Sequence, residues 1–424
     1  RMKKILKTFS FVVILLFTLS VFGWMVQHIV KGNKDFGFLT EPVKFMYTFP
    51  DMFKKSVEEV KTLPKTFIQT PQNFKSVNNL DTDLMVLTTY SDKNDKRAVA
   101  LLNLKNDSVH YKWTIDNPYN VTDRIKNPLM FPGKELVYSY AKRPLRRIDS
   151  LSNIVWKQDS IRGHHAMELD YKGDIWLCTY NPFHYSTAYY KINGRSVFFK
   201  DNFITKVDAE TGRILFHKSV AEILKENNVA NYVLKSTGSI TDPLHLNDVE
   251  PALKTTPYYN KDDVFISLRQ PSIVLHYRPK TNELIDIIEG PFNSQHDVDF
   301  LNDSTLIVFN NNTYTKWARE SMGPPKDSTN LIHIGDFYSN IAAYNLAFGN
   351  FSYIGDSIFA ANRIFTLTEG LQEYVNDSAF FVEEQNSGLI WVLTEDQVIY
   401  KNVLKSQHEG YHHLPNWTRI VDYE

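Results

Sequence analysis

Between Asp242 and Asn311 the chain gathers two histidines, an arginine and an asparagine beside strand-like runs. Asp242-Pro-Leu-His245-Leu-Asn247 leads into Phe265-Ile-Ser-Leu-Arg269, and that into Ser294-Gln295-His296-Asp297 ahead of the apolar run Thr305-Leu-Ile-Val-Phe309. An arginine offers a planar fork of donors, and a neutral imidazole offers a lone pair near pH 7. Together they can hold a small oxyanion, with His296 or His245 placed to attack it. His245 and Asn247 are one residue apart, so on an extended segment both side chains leave the same face. That spacing suits joint contact with one ligand; the competing reading is a turn in which Asn247 bonds its own backbone. Arg269 ends an apolar run expected to be buried, where a guanidinium needs an anion or a carboxylate. It therefore serves either a ligand or a structural salt bridge. His296 precedes a strand and is expected to be oriented by Asp297 or a backbone carbonyl.

The elements that position these residues read as strands. From about Asp83 onward short apolar or alternating runs are separated by Asp, Asn, Gly and Lys turns, and helical periodicity is confined mainly to 220–228. Four segments share an apolar start, a turn and a β-rich run, beginning at Leu129, Met167, Val298 and Tyr374. A second hairpin-like unit recurs from Ala98, Ile148, Ile204 and Ile273. Repeats of this kind predict an all-β chain folded as a β-propeller, and about six blades fit residues 83–424. A pair of β-sandwiches is the alternative. In a propeller, loops from different blades converge on the axis, so residues distant in sequence can meet there. His296 stands two residues before Val298 and His165 two before Met167. The two are thus expected at equivalent places, with His164 beside them.

Composition narrows the partners. The 424 residues carry a formal charge of -1, with 43% hydrophobic and 14% aromatic residues. Nothing here favours nucleic acid or an anionic membrane surface as the main partner, so an anion site must be local. Arg1, Lys3, Lys4 and Lys7 precede an uncharged stretch from Phe9 to Val26. This reads as a signal anchor in residues 1–31, with a cleaved export signal as the alternative, the basic flank cytoplasmic and the remainder extracytoplasmic, either periplasmic or extracellular. Residues 32–82 read as a juxtamembrane connector with a short amphipathic helix near 52–62, and residues 83–424 as the propeller. Cys178 is the only cysteine, which excludes an intrachain disulfide and cysteine-based zinc sites.

Three chemistries compete for the histidine-rich set: a metal site, an anion-binding scaffold, and nucleophilic group transfer. Group transfer leads, because an arginine occupies a place that a metal site would give to a carboxylate. At the His164-His165 pair, the His245-x-Asn247 motif, the Ile266-Ser-x-Arg269 strand and Gln295-His296, the sequence resembles the arylsulfotransferase family of exported β-propeller enzymes. Weaker agreement continues through 368–372 and 416–420, the second of which looks like a closing segment. The resemblance implies that His296 attacks the sulfur of a sulfate ester and that an acceptor hydroxyl then takes the sulfuryl group from a sulfohistidine. It implies that Arg269, Asn247, His245 and His165 hold the sulfuryl oxygens, with His164 behind them and His245 or His165 shuttling the proton. Catalytic roles thus fall to His296, Arg269 and His245, and substrate binding to His165, Asn247 and His164. No metal, cofactor or nucleotide donor is expected. The partners are a sulfate-ester donor, a hydroxyl acceptor and the membrane. Tyr180 to Tyr185, with Tyr189 and Tyr190, could supply an aromatic pocket. An anchored chain also admits a membrane-protein partner, and a non-catalytic subunit of a membrane complex is the competing function.

Overall fold

The computed structural model describes residues 2–30, 36–61, 63–91, 97–115, 124–140, 142–180, 187–235, 239–313 and 332–422. It divides into two units, Arg1–Pro64 and Lys65–Glu424. In the first, a helix covers Met2–Val30, and its Leu6–Ile29 stretch is long and apolar enough to cross a membrane or act as a signal sequence. At 1.5 Å per residue those 24 residues reach about 36 Å, against roughly 30 Å of hydrocarbon. A second helix, Thr40–Lys61, is longer than the expected amphipathic segment and carries Pro50 inside it.

The second unit is a ring of antiparallel sheets read as six blades. The first blade orders Arg419–Ile420, Met85–Ser91, Arg97–Asn103 and Ser108–Thr114 from inside to outside. A seven-stranded sheet supplies the second and third blades. The second holds Ile125–Phe131, Glu135–Tyr140 and Arg143–Ile148, and the third holds Ile175–Tyr180, Phe203–Val207 and Ile214–Ser219. The 16-residue strand Ile154–Leu169 passes from the outer edge of one to the inner edge of the other. The fourth blade starts at Leu246–Pro251, the fifth at His296–Asn302 and the sixth at Leu371–Asn376.

Both recurring units have physical causes. The first is an inner hairpin whose turn is closed by an Asx contact: Asn302 accepts from Ser304 N, Asn376 from Ser378 N, and Asp170 from Lys172 N. The second is the outer hairpin of a blade, as in Arg97–Thr114 and Ile273–Glu289.

The ring closes at both ends of the chain. Arg419–Ile420 becomes the inner strand of the first blade against Leu87 and Val86. Val77–Asn78 pairs on the outer edge of the sixth blade, and Phe67–Gln69 pairs with Tyr411–His413. The compact unit therefore begins at Lys65 rather than at residue 83, because these short strands clasp the C-terminal segment. Between blades, interlocked cores such as Trp176, Ile204, Leu246, Ile266 and Leu275 bury the apolar strand faces.

Candidate functional site

Each inner strand enters the ring through a residue held in the left-handed region. These are Trp417, Asn127, His165, His245, Asp297 and Glu369, one per blade from first to sixth, with φ between 45° and 61°. None is glycine, and such a conformation costs about 1 kcal/mol or more for an L-residue. Bulges accompany four of them: the ladder shifts at Lys126/Leu129, Leu177/Cys178, Leu246/Asp248 and His296/Val298. A bulge re-aims the side chains at a strand's start. Here the result is a cavity of about 390 Å³ lined by Lys126, Lys142, His164, His165, Tyr180, Lys200, Asp242, His245, Arg269, His296 and Glu369, among others.

His296 is 1% exposed, and its Nδ1 lies 2.7 Å from Asn311 Oδ1. The Asn311 amide nitrogen donates to the carbonyls of Thr366 (2.9 Å) and Glu369 (2.6 Å), so its oxygen must face the imidazole. The proton therefore sits on Nδ1, and Nε2 keeps its lone pair. Burial, then the Arg269 charge, pushes this histidine down to about 3, which leaves it neutral at physiological pH. The orienting partner is thus neither Asp297 nor a backbone carbonyl. The left-handed bulge turns the Asp297 carboxylate toward Gln372, whose backbone N–H donates to it at 2.7 Å.

His245 donates through Nδ1 to Asp242 Oδ2 at 2.9 Å. Burial opposes ionisation of Asp242, but His245 and Lys200 outweigh it and hold the carboxyl well below its usual range. Among the described residues His245 Nε2 has no protein partner. The ring centroids of His165 lie 5.2 Å from His245 and 6.2 Å from His296. His164 and His165 share a 2.8 Å Nδ1 to Nδ1 hydrogen bond, and burial depresses both. His164 also stacks on Tyr180 with centroids 3.8 Å apart.

Arg269 is 5% exposed, and its Nη2 donates to the Leu367 carbonyl at 3.3 Å. Among the described residues it has no carboxylate partner, so the structural salt bridge is not formed. An unpaired buried guanidinium lining a cavity is a prepared anion site. Glu369 is different: Lys126 at 2.6 Å and Arg124 at 2.9 Å neutralise it, and against its burial they pull the carboxyl down to about 2.

Five of the six residues singled out from sequence line the cavity: His164, His165, His245, Arg269 and His296. Asn247 does not. It is wholly buried, donates to the Gln295 carbonyl at 2.6 Å, and leaves its Oδ1 without a partner among the described residues. The bulge between Leu246 and Asp248 breaks the alternation that would have placed it beside His245. The His165 and His296 equivalence is also off by one place. Cys178 pairs with His164 across a two-residue bulge, whereas Phe309 pairs with His296 across a one-residue bulge.

Sequence reasoning missed Asp242 and Asn311 as partners of the histidines, and Lys126, Lys142, Lys200 and Glu369 as lining residues. Asp242 and Asn311 bound the segment first singled out, and Glu369 lies in the weak match at 368–372; the three lysines gave no signal. Of the aromatic insertion, Tyr180 lines the cavity, and 181–186 lie outside the described residues. Larger cavities occur beneath the Thr187–Lys200 hairpin (about 630 Å³) and toward the far ends of the inner strands (about 430 Å³), with neither histidine nor arginine in their linings. Among the described residues no group of His, Cys, Asp and Glu is arranged to hold a metal ion.

Among solved structures the chain is similar to a protein of unknown function from Bacteroides caccae, at 10% identity and a TM-score of 0.48 over 78% of this chain and 97% of that one. It is also similar to hydrazine synthase of Kuenenia stuttgartiensis, at 9% identity and a TM-score of 0.39 over 78% and 80%. The nidogen/laminin complex gives 6% identity and a TM-score of 0.42 over 79% and 97%. Likenesses this distant carry no argument about the site. No curated protein matches the sequence. The family model for arylsulfotransferase (ASST) matches residues 130–403, a span holding all five cavity residues that the sequence singled out. The chain belongs to the arylsulfotransferase family.

Proposed function

We propose that this protein moves a sulfuryl group from an aryl sulfate to an acceptor hydroxyl through a sulfohistidine at His296, in two successive half reactions. The observation that carries the reading is a neutral imidazole, fixed as the Nδ1–H tautomer, in the same cavity as an unpaired buried arginine. In the first half reaction the Nε2 lone pair attacks sulfur, an S–N bond forms, and the ester S–O bond breaks with its electron pair leaving on the phenolic oxygen. Arg269 takes the charge spread over the sulfuryl oxygens, as cationic clamps do in phosphoryl transfer. His245 gives a proton to the leaving oxygen, and Asp242 steadies the cationic form of the ring. In the second half reaction His245 takes the acceptor's hydroxyl proton, the acceptor oxygen attacks sulfur, and the S–N pair returns to Nε2. His165 and the Lys126–Glu369 pair flank the transferred group.

The domain is proposed to work on the extracytoplasmic side, since Lys3, Lys4 and Lys7 precede the uncharged stretch from Phe9 to Val26. The test is release of 4-nitrophenol from 4-nitrophenyl sulfate with phenol as acceptor. Wild type is expected to turn over, and His296→Ala to lose at least about 10³-fold in kcat with an unchanged circular dichroism spectrum. Turnover by folded His296→Ala at near wild-type rate would remove the nucleophile from this account.

A further inference from the structure

Among the described residues, two of the lysine and arginine side chains lining the cavity have no carboxylate partner. Lys126, Lys142, Lys200 and Arg269 face Asp242 and Glu369. Glu369 is taken by Lys126 and Arg124, while Asp242 is held by His245 at 2.9 Å with Lys200 at 3.4 Å. Arg269 and Lys142 remain. Arg269 bears on His296, whose basicity it depresses after burial. Lys142 enters from the second blade, and among the described residues its side chain makes no ion pair or hydrogen bond. Its backbone is pinned, with φ 61° and its N–H on the Gly163 carbonyl at 2.9 Å. Its charge reaches both neighbouring lysines: Lys126 and Lys200 are each lowered first by burial and in part by Lys142. The cavity that Lys142 lines also has a flat wall, Tyr180 stacked on His164 with the Lys200 ammonium 3.7 Å from the Tyr180 ring centroid.

A singly charged aryl sulfate answers Arg269 and leaves the lysine cluster repelling itself. We propose that the donor is a dianion, a sulfate ester whose leaving group itself carries an anionic substituent, held by Lys142 with Lys200 while the sulfuryl group lies at Arg269 and His296. The inference rests on the sulfuryl-transfer reading of the same site and names the class of donor.

Calorimetric binding to the full-length His296→Ala protein, which cannot consume the ester, tests it. The probes are 4-carboxyphenyl sulfate, phenyl sulfate and terephthalate, a dianion without sulfate. The carboxylated ester is expected to bind about tenfold more tightly than phenyl sulfate. Lys142→Ala should abolish that preference while changing phenyl sulfate affinity by less than about twofold, and Lys142→Glu should reverse it. Equal affinity for the two esters, or a preference that survives Lys142→Ala, overturns the proposal. If neither ester binds but terephthalate does so through Lys142, the two-cation site stands and the sulfuryl assignment falls. Absence of binding by all three overturns the proposal.

Discussion

A histidine that must stay neutral beside four cationic side chains needs no special base to deprotonate it; burial and Arg269 already do so. The harder requirement is the correct nitrogen, and Asn311 meets it by spending both of its N–H donors on carbonyls. Asn311→Ala should therefore free the tautomer and lower kcat by about tenfold to a hundredfold with little change in KM, read from steady-state kinetics. Because His296 titrates near 3, kcat/KM of the wild type should show no acid limb near 6.5 from this group; a pH profile checks it. Asp242→Asn removes the anion behind His245, and its effect should depend on the leaving group. The loss should be about a hundredfold with phenyl sulfate and smaller with 4-nitrophenyl sulfate, whose phenolate departs without a proton.

At the scale of elements, the left-handed entries and bulges turn a repeating hairpin into a site. Much of this was legible in sequence. The strand-turn-strand units reflect Asx turns at Asn302, Asn376 and Asp170, and residues that favour such turns repeat visibly. The side-chain directions at the strand entrances were not legible, since alternation fails wherever a bulge inserts a residue. That failure removed Asn247 from the cavity and displaced the His165 and His296 equivalence. Lys126 escaped notice because its role comes from pairing with Glu369, 243 residues away. Closure can be tested directly. Residues 417–424 contribute the inner strand of the first blade and Trp417, whose ring lies 5.9 Å from His165. Deleting them should lower the melting temperature by about 10 °C or more and abolish transfer, measured by thermal unfolding and by activity.

For the whole molecule, basic side chains crowd one end of the axis and buried acidic side chains the other. Below the cation-rich cavity, Glu168, Asp248, Glu250, Asp297, Asp299 and Glu373 come from the inner strands of four blades, with Arg419 bound to Glu168 at 2.7 Å. Burial, then neighbouring carboxylates, pushes Asp299 up to about 8; burial, aided by Glu168 and Asp422, outweighs the Ile420 N–H and the Arg419 charge in raising Glu373 to about 7. A carboxyl raised on folding binds more protons folded than unfolded, so its contribution is full at low pH and is lost as pH rises through the folded value. Buried His164, His165 and His296 have the opposite sign, losing stability only as pH falls below about 6.5. Between pH 6.5 and 8 the carboxylates dominate, so the melting temperature should fall by a few degrees across that window and by less in Asp299→Asn.

The central claim is covalent transfer through His296, and mass spectrometry of the peptide containing it is the most direct measurement. After mixing the protein with 4-nitrophenyl sulfate and no acceptor, then quenching in alkali, the account predicts one sulfo group on His296 that disappears when phenol is added before the quench. An unmodified His296 peptide in an enzyme that is turning over would contradict it and point to direct transfer between donor and acceptor.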